Sequence, residues 1–174
     1  MAEFPIYNLW DLFCGVGGFG LHCAKALQEK WGKPIKLTGI EISSSAILAA
    51  SNSAKILGLE HVNFQSLDAA SVIENKNKNK NKNKNKNKNK NKNENKPDLV
   101  IVNPPRRGIG KELSEFLNQI QPHFILYSSC NAMTMGKDLQ HLTCYKPLKI
   151  QLFDMFPQTS HYEVLVLLER KKIN

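Results

Sequence analysis

The sequence contains few cysteines, and their spacing does not suit a metal site or a disulfide framework. The four cysteines, none of which forms a Cys-x-x-Cys pair, are Cys14, Cys23, Cys130 and Cys144. The sequence also lacks an apolar run of membrane-spanning length and an early segment of signal-peptide form. These absences predict reduced thiols, no metal site, no membrane segment and a cytoplasmic location. The length of 174 residues predicts one domain with a single well-buried core.

The excess of positive charge is confined to one segment. The formal net charge is +9, and residues 75–96 alone contain ten lysines and one glutamate in an Asn-Lys alternation. This segment has no apolar residue to bury, so we predict a disordered loop between elements of the fold. An expanded repeat tolerated in a surface connection is the favoured explanation, and a tether that attracts RNA is the alternative. The rest of the chain is balanced in charge, so the high pI does not itself indicate RNA binding.

A glycine-rich loop follows the first predicted strand. Residues 9–13 are apolar apart from Asp11 and predict a buried strand. Before a helical pattern begins at Leu21, the chain passes through Gly15, Gly17, Gly18 and Gly20. Such a strand-to-helix junction can hold a polar or anionic nucleotide-like ligand. With Glu41 at the end of the next predicted strand, the pattern fits either a dinucleotide site or an S-adenosylmethionine site.

Strand and helix patterns alternate along the chain and predict a mainly parallel sheet with helices on both faces. The predicted strands cover residues 9–13, 35–42, 62–66, 99–102, 124–127, 148–153 and 162–168. The predicted helices cover residues 21–30, 112–120 and 134–142, with a further helix from Ser43 or Ser44 to Leu57. Because ligands gather at the carboxyl ends of parallel strands, the glycine loop, Glu41, Asp68, Asn103 and Cys130 are expected at one edge.

Three of the predicted loops contain residues suited to chemistry. Asn103 precedes Pro104 and Pro105, which fix its backbone so that the amide can bond a cofactor or a planar substrate, although two prolines can also simply end a strand. Cys130 lies on a polar loop after a buried strand and is a candidate nucleophile, whereas Cys14 and Cys23 suit an inert role. Glu163 enters an apolar segment as either a general base or an edge-strand charge. Arg106 and Arg107 are candidate phosphate contacts.

Five separated blocks of the sequence resemble the catalytic domain of the RNA uracil-C5 methyltransferases, which use S-adenosylmethionine to make 5-methyluridine in tRNA and 23S rRNA. The blocks are DLFCGVGGFGLHCA, GIEI, VNPPRRGIGK, YSSCNAMTMGKDL and LFDMFPQTSHYEVLVLLER. The third and fifth are most similar to the bacterial branch that methylates a 23S rRNA uridine. The resemblance covers nearly all of the chain outside residues 75–96.

The resemblance implies a Rossmann-like α/β fold with a seven-stranded sheet, S-adenosylmethionine as cofactor and 23S rRNA as partner. It implies that Cys130 attacks uracil C6 and that Glu163 is the base that removes the C5 proton. By the same resemblance the cofactor is contacted by Phe13, Gly15, Gly18, Glu41 and Asn103. Asp68 is added to this set because it stands just beyond the end of a predicted strand. We expect a monomer.

The sequence also departs from the family pattern. Asn103 stands where many members have Asp, and Ala132 stands where proline is frequent. Relatives carry an upstream region with RNA contacts, iron–sulfur cysteines in this branch, and a cofactor-contacting Gln, so we expect this chain to be an isolated or truncated catalytic half. Three alternatives stay open: an amino methyltransferase that uses the Asn-Pro-Pro loop, a non-catalytic remnant that binds the cofactor, and, from the glycines alone, an NAD dehydrogenase.

Overall fold

A computed structural model describes residues 4–69, 71, 96–155 and 157–172. Its strands are β1 (Asn8–Leu12), β2 (Lys36–Glu41), β3 (Val62–Ser66), β4 (Leu99–Val102), β5 (Phe124–Ser129), β6 (Tyr145–Phe153) and β7 (Glu163–Arg170). Within the described ranges its helices are α1 (Gly18–Trp31), α2 (Ser44–Ile56), α3 (Gly110–Ile120) and α4 (Ala132–His141). The predicted disordered segment 75–96 lies, except for Lys96, outside the described residues.

The seven strands form one sheet in the order β3-β2-β1-β4-β5-β7-β6. Strands β1 to β5 run parallel, and β7 pairs antiparallel with both β5 and β6. The carboxyl ends of β1 to β5 therefore lie at a single edge of the sheet. Because β7 runs the other way, its first residue, Glu163, lies at that same edge.

Alternation along the central strand β4 builds a core on each face of the sheet. Val100 and Val102 pack in the cluster that includes Phe116 of α3, and Leu99 and Ile101 pack in the cluster that includes Leu21 of α1. All four residues of β4 are buried, as expected for a parallel strand covered on both sides. The predicted α/β fold with helices on both faces is confirmed.

The coverage of both faces does not extend to β6. From Lys146 to Phe153 every residue of this strand is exposed, including Ile150 at 63% and Leu152 at 61%. The strand pairs with β7 alone, so it is an edge strand. It also begins at Tyr145, three residues before the predicted start, because the pairing with β7 continues to Arg170 around an irregularity near Pro147.

Two further boundaries were set by turn chemistry. Phe13 was predicted to end β1, but it has φ 66 and already belongs to the turn that follows the strand. The start of α2 was predicted correctly, since the Ser43 hydroxyl accepts from Ala46 N at 3.3 Å as an N-cap. Among the described helices, none combines the length and apolar content required to cross a bilayer.

Candidate active site

The glycine loop is a sharp backbone turn between β1 and α1. Phe13 and Gly15 have φ 66 and 53, and Gly17, which precedes the first residue of α1, has φ 84. The amide of Cys14 donates to Ile40 O at 3.0 Å, which ties the start of the turn to β2. The left-handed values explain why glycine occupies positions 15 and 17, since most side chains are strained there.

Two carboxylates accept hydrogen bonds from backbone amides of this glycine-rich segment. Glu41 Oε2 accepts from Gly15 N at 3.2 Å, and its Oε1 accepts from Ser43 N at 3.0 Å. Asp11 Oδ2 accepts from Gly20 N at 2.9 Å. Glu41 was a predicted cofactor ligand, whereas no role was predicted for Asp11. An acid inside an otherwise apolar strand does, however, indicate that a polar group is needed there.

Asp11 is almost fully buried, and its carboxyl is incompletely bonded. Its Oδ1 has no hydrogen-bond partner among the described residues. Burial raises the pKa of Asp11 from 3.8 to about 7, and the hydrogen bond from Gly20 N opposes the rise. The neutral form is favoured because a buried charge with a single donor is poorly solvated.

A cavity of about 320 Å³ opens beside the glycine loop, at the carboxyl ends of β1 to β4. Four of the six predicted cofactor residues line it: Phe13, Glu41, Asp68 and Asn103. Gly15 does not line the cavity but bonds to Glu41, which does. Gly18, at the start of α1, is also outside the lining. It is exposed, and a Cβ added there would meet no atom within 4 Å. The structure thus brings five of the six residues together and leaves Gly18 beside them.

The Pro-Pro loop, residues 103–110, is fixed by a buried carboxylate that sequence analysis missed. Asp138 Oδ2 accepts from Ile109 N at 2.8 Å and from the Tyr127 hydroxyl at 2.6 Å, and its Oδ1 accepts from Gly110 N at 3.0 Å. Burial and the bond to Asp138 raise the pKa of Tyr127. The helical spacing of Asp138 with Met135 and Leu142, which are both buried, could have revealed it.

Cys130 lies on an ordered loop joined to the Pro-Pro loop. The next residue, Asn131, caps α4 by accepting from Met133 N and Thr134 N at 3.1 and 3.3 Å. Asn131 Nδ2 and Thr134 Oγ1 both donate to Arg106 O, at 3.3 and 2.9 Å. Cys130 itself is exposed just before the amino end of α4.

The β5–β7 ladder brings Cys130 and Glu163 to the same end of the sheet. Ser129 pairs with Val164, so the next residues outward along the two antiparallel strands are Cys130 and Glu163. The hydroxyl of Ser128 donates to Glu163 Oε1 at 2.5 Å. Two residues separated by a long stretch of sequence are thus brought to one end of the β5–β7 ladder, at the edge of the sheet where the cofactor cavity opens.

The other cysteines are in different surroundings. Burial, with smaller contributions from Asp11 and Glu41, raises the pKa of Cys14 to about 12, and burial followed by Asp11 raises that of Cys23 to about 11. Both are therefore thiols at neutral pH, as their predicted inert role requires. Cys144 is half-buried, and all four cysteines are free. Within the part of the chain that the structure describes, no group of three or more His, Cys, Asp or Glu side chains could hold a metal ion.

The predicted phosphate contacts, Arg106 and Arg107, lie on the Pro-Pro loop. Arg107 lines the cofactor cavity, and Arg106 is exposed with its Nη2 3.4 Å from His161 Nδ1. His161 precedes Glu163 by two residues. Of the two consecutive arginines, Arg107 thus borders the cofactor cavity and Arg106 lies beside the segment that leads to Glu163.

Comparison with known proteins decides the family. Residues 5–171 match the family model described as tRNA (uracil-5-)-methyltransferase. The chain belongs to this family. Over all 174 residues it is 90% identical to a relative from Haemophilus influenzae (strain PittGG) named 23S rRNA (uracil(747)-C(5))-methyltransferase RlmC, and it spans 40% of that protein's length. It is 62% identical over 172 residues to the protein of the same name from Pasteurella multocida (strain Pm70), covering 98% of this chain and 41% of that protein.

Solved structures agree with membership of the uracil-5-methyltransferase family. The tRNA (uracil-54, C5)-methyltransferase of Pyrococcus abyssi, solved in complex with S-adenosyl-L-homocysteine, has a TM-score of 0.70 and 28% identity, covering 95% of this chain and 34% of that one. TrmN from Thermus thermophilus, at 17% identity, has a TM-score of 0.61 and covers 96% of this chain and 45% of that one. The second likeness concerns the fold alone. The Rossmann-like methyltransferase fold and the family predicted from the sequence are both confirmed.

Proposed function

We propose that this chain is the catalytic part of an S-adenosylmethionine-dependent enzyme that methylates C5 of a uridine in 23S rRNA. The observation that carries the proposal is that the register of the β5–β7 ladder puts Cys130 and Glu163 at its same end, at the edge of the sheet where the cofactor cavity opens. The names of the relatives that match the whole chain support rRNA as the substrate.

The residues around the cavity fit S-adenosylmethionine. Phe13, Ile42 and Leu67 provide apolar walls for a purine ring, and the Glu41 carboxylate provides an acceptor for ribose hydroxyls at the end of β2. Asp68 and Asn103 add polar groups to the lining. When bound, this cofactor supplies an electrophilic methyl group on a sulfonium.

Cys130 has the task of making the pyrimidine reactive. Uracil C5 is too weak a nucleophile to take a methyl group unaided, so the Cys130 thiolate adds to C6 and forms an Sγ–C6 bond. The electrons of the C5–C6 double bond move into an enolate, and C5 then carries enough electron density to accept the methyl group. Cys130 is exposed on a loop fixed by Asn131, so the Cys130 sulfur is accessible to the uracil ring.

Glu163 completes the reaction by removing a proton. After methylation C5 still carries its hydrogen, and the Glu163 carboxylate takes it as a proton. The electrons of the broken C5–H bond restore the C5–C6 double bond, and the Sγ–C6 bond breaks with its electrons returning to Cys130. This role is supported by the position of Glu163 as the half-buried first residue of β7, at the same end of the β5–β7 ladder as Cys130.

Arg106 and Arg107 are the proposed contacts to the RNA backbone. Both are exposed on the Pro-Pro loop, and guanidinium groups suit phosphate because they donate in a planar fork. We propose that the chain works as a monomer in the cytoplasm.

A covalent trap tests the proposed function. An rRNA hairpin with 5-fluorouridine at the target position is incubated with the chain and S-adenosylmethionine, and the mixture is run on a denaturing gel. Fluorine at C5 cannot be removed as a proton, so we expect a stable protein–RNA adduct after methyl transfer. Cys130→Ala abolishes the adduct, whereas Cys23→Ala, which removes a partly buried thiol of raised pKa, leaves it intact.

The outcomes of this experiment separate the alternatives. Methylated RNA without an adduct contradicts the covalent mechanism and favours an amino methyltransferase that uses Asn103. An adduct that persists in Cys130→Ala contradicts the assignment of Cys130 as the nucleophile. Binding of S-adenosylhomocysteine by calorimetry, with neither adduct nor methyl transfer, indicates a domain that only binds the cofactor.

A further inference from the structure

Glu163 receives a hydrogen bond from a residue that the sequence comparison did not single out. Ser128 is fully buried on β5, and its hydroxyl donates to Glu163 Oε1 at 2.5 Å. Within the described part of the chain, Ser128 is the one side chain that donates a hydrogen bond to the Glu163 carboxylate. Ser128 lies on β5, two residues before Cys130 in the loop that follows the strand, and it pairs with Leu165 of β7, two residues after Glu163.

The environment of the two partners differs in rigidity. Ser128 has one rotatable bond before its hydroxyl and lies in a strand that pairs with β7 at Ser128 itself and with β4 as far as the preceding residue, Tyr127. Glu163 has three rotatable bonds and is the first residue of its strand, so its carboxylate would sample several positions if nothing held it. A donor on the rigid partner fixes Oε1 and leaves Oε2 as the oxygen available to take a proton.

We propose that Ser128 is a positioning residue for Glu163, holding its carboxylate ready to remove the C5 proton next to Cys130. This inference rests on the proposed function, in which Glu163 is the base. It concerns the second half of the reaction alone, because addition of the Cys130 sulfur to C6 does not involve Glu163. A role of Ser128 in packing alone would affect both halves.

The test separates adduct formation from proton removal in single-turnover reactions. An rRNA hairpin with tritium at C5 of the target uridine is mixed with excess chain and S-adenosylmethionine. Denaturing gels follow the adduct, and tritium in the solvent follows proton removal. For Ser128→Ala we expect adduct formation within about twofold of the unmodified chain and tritium release slowed about tenfold, as for loss of one hydrogen bond to a charged group.

Two further variants complete the design. Ser114→Ala removes another fully buried hydroxyl, bonded to Gly110 O at 2.7 Å inside α3, and both steps should keep their rates. Glu163→Gln slows release more strongly, and the double variant Ser128→Ala with Glu163→Gln releases tritium no more slowly than Glu163→Gln alone, because the two residues act as a unit.

The possible failures are distinguishable. If the unmodified chain forms no adduct, the proposed function fails and the role of Ser128 fails with it. If the unmodified chain forms and resolves the adduct but Ser128→Ala releases tritium at the same rate, only the positioning role is overturned. Equal slowing of both steps in Ser128→Ala, or independent effects in the double variant, also overturns it.

Discussion

Two buried carboxylates lie beneath the two loops of the site, and they differ in the number of donors that reach them. Asp11, under the glycine loop, receives the Gly20 amide and has an Oδ1 without a partner among the described residues. Asp138, under the Pro-Pro loop, receives two amides and the Tyr127 hydroxyl. Hydrogen bonds offset the loss of hydration of a buried charge, so Asp138 has three donors to replace its lost hydration where Asp11 has one.

The contrast also separates local from long-range architecture. Asp11 and Gly20 are nine residues apart, and their bond shapes a loop whose bend is already encoded by its glycines. Asp138 accepts from the Tyr127 hydroxyl, 11 residues before it, and also reaches the amides of Ile109 and Gly110, 29 and 28 residues before it. The glycine loop is itself tied to β2 through Cys14 N, so both loops depend on the assembled sheet, and it is the reach of the two aspartates that differs.

The largest expected effect is the pH dependence that Asp11 gives to stability. Burial raises the pKa of its carboxyl from 3.8 to about 7. Between these values the folded protein keeps a proton that the unfolded chain releases, so the free energy of unfolding falls as the pH rises. With about 1.4 kcal/mol per pKa unit, the fall from this group reaches about 4 kcal/mol at neutral pH and above.

Asp11→Asn removes this titration and keeps an oxygen that can accept from Gly20 N. Urea denaturation across the acid-to-neutral range should show the variant gaining stability relative to the unmodified chain as the pH rises. Glu112→Gln, at an exposed acid in the first turn of α3, is the control for loss of one negative charge. A difference between Asp11→Asn and the unmodified chain that is constant with pH would contradict the prediction.

Asp138→Asn is expected to have the next largest effect. The amide keeps one acceptor oxygen but turns an N–H₂ group toward a donor, so at least one of the three donors (Ile109 N, Gly110 N and the Tyr127 hydroxyl) loses its partner. We expect a loss of about 3 kcal/mol in the free energy of unfolding. Tyr127→Phe removes just the hydroxyl and leaves two amide donors on Asp138, with an expected loss of about 1 kcal/mol.

Denaturation at neutral pH measures both losses. Equal losses for Asp138→Asn and Tyr127→Phe would mean that the two amides contribute nothing. In that case the contrast between the loops would reduce to a single hydroxyl.

A pair of glycines in the same helix gives the sharpest test, with effects smaller than that of Asp138→Asn. A Cβ at Gly20 would lie 2.6 Å from Asp11 Oδ2, whereas a Cβ at Gly18 would meet nothing within 4 Å. Gly20→Ala should therefore destabilise the protein by about 2 kcal/mol through overpacking. Gly18→Ala should leave stability unchanged or raise it by about 0.5 kcal/mol, since alanine favours a helix.

The same pair examines the proposed cofactor role of Gly18. If S-adenosylhomocysteine lies against this residue, calorimetry should show weaker binding to Gly18→Ala although stability is kept. Unchanged affinity would remove Gly18 from the cofactor set without affecting the residues that line the cavity.

Most of the architecture was predictable because it follows from periodicity and turn residues. The alternation of strands and helices indicated the parallel sheet, and the polar residues at strand ends indicated its functional edge. Phe13 was misplaced because an apolar residue next to a strand gives no sign that its φ is positive. The longer β6 was missed because its first residues are set by pairing with β7 rather than by their own pattern.

The supporting contacts of the site were the part that the sequence could not show. Ser128 bonds Glu163 only because β7 pairs antiparallel with β5 in one register, and no local pattern specifies that register. The partners of Asp138 come from a loop and a strand that precede it by many residues. Residues that act through their neighbours in space lack a signature of their own in the chain, whereas Cys130 and Glu163 stand out by chemistry.

The ladder between β5 and β7 has a consequence for how such a chain can change over time. Since Cys130 and Glu163 are brought together by strand pairing, the connection through α4 and β6 can lengthen, shorten or be rebuilt without separating them. A slip of β7 by two residues would keep every side chain on its original face of the sheet and would still move the carboxylate away from the sulfur. Insertions on that side are therefore tolerable, and errors of strand alignment are not.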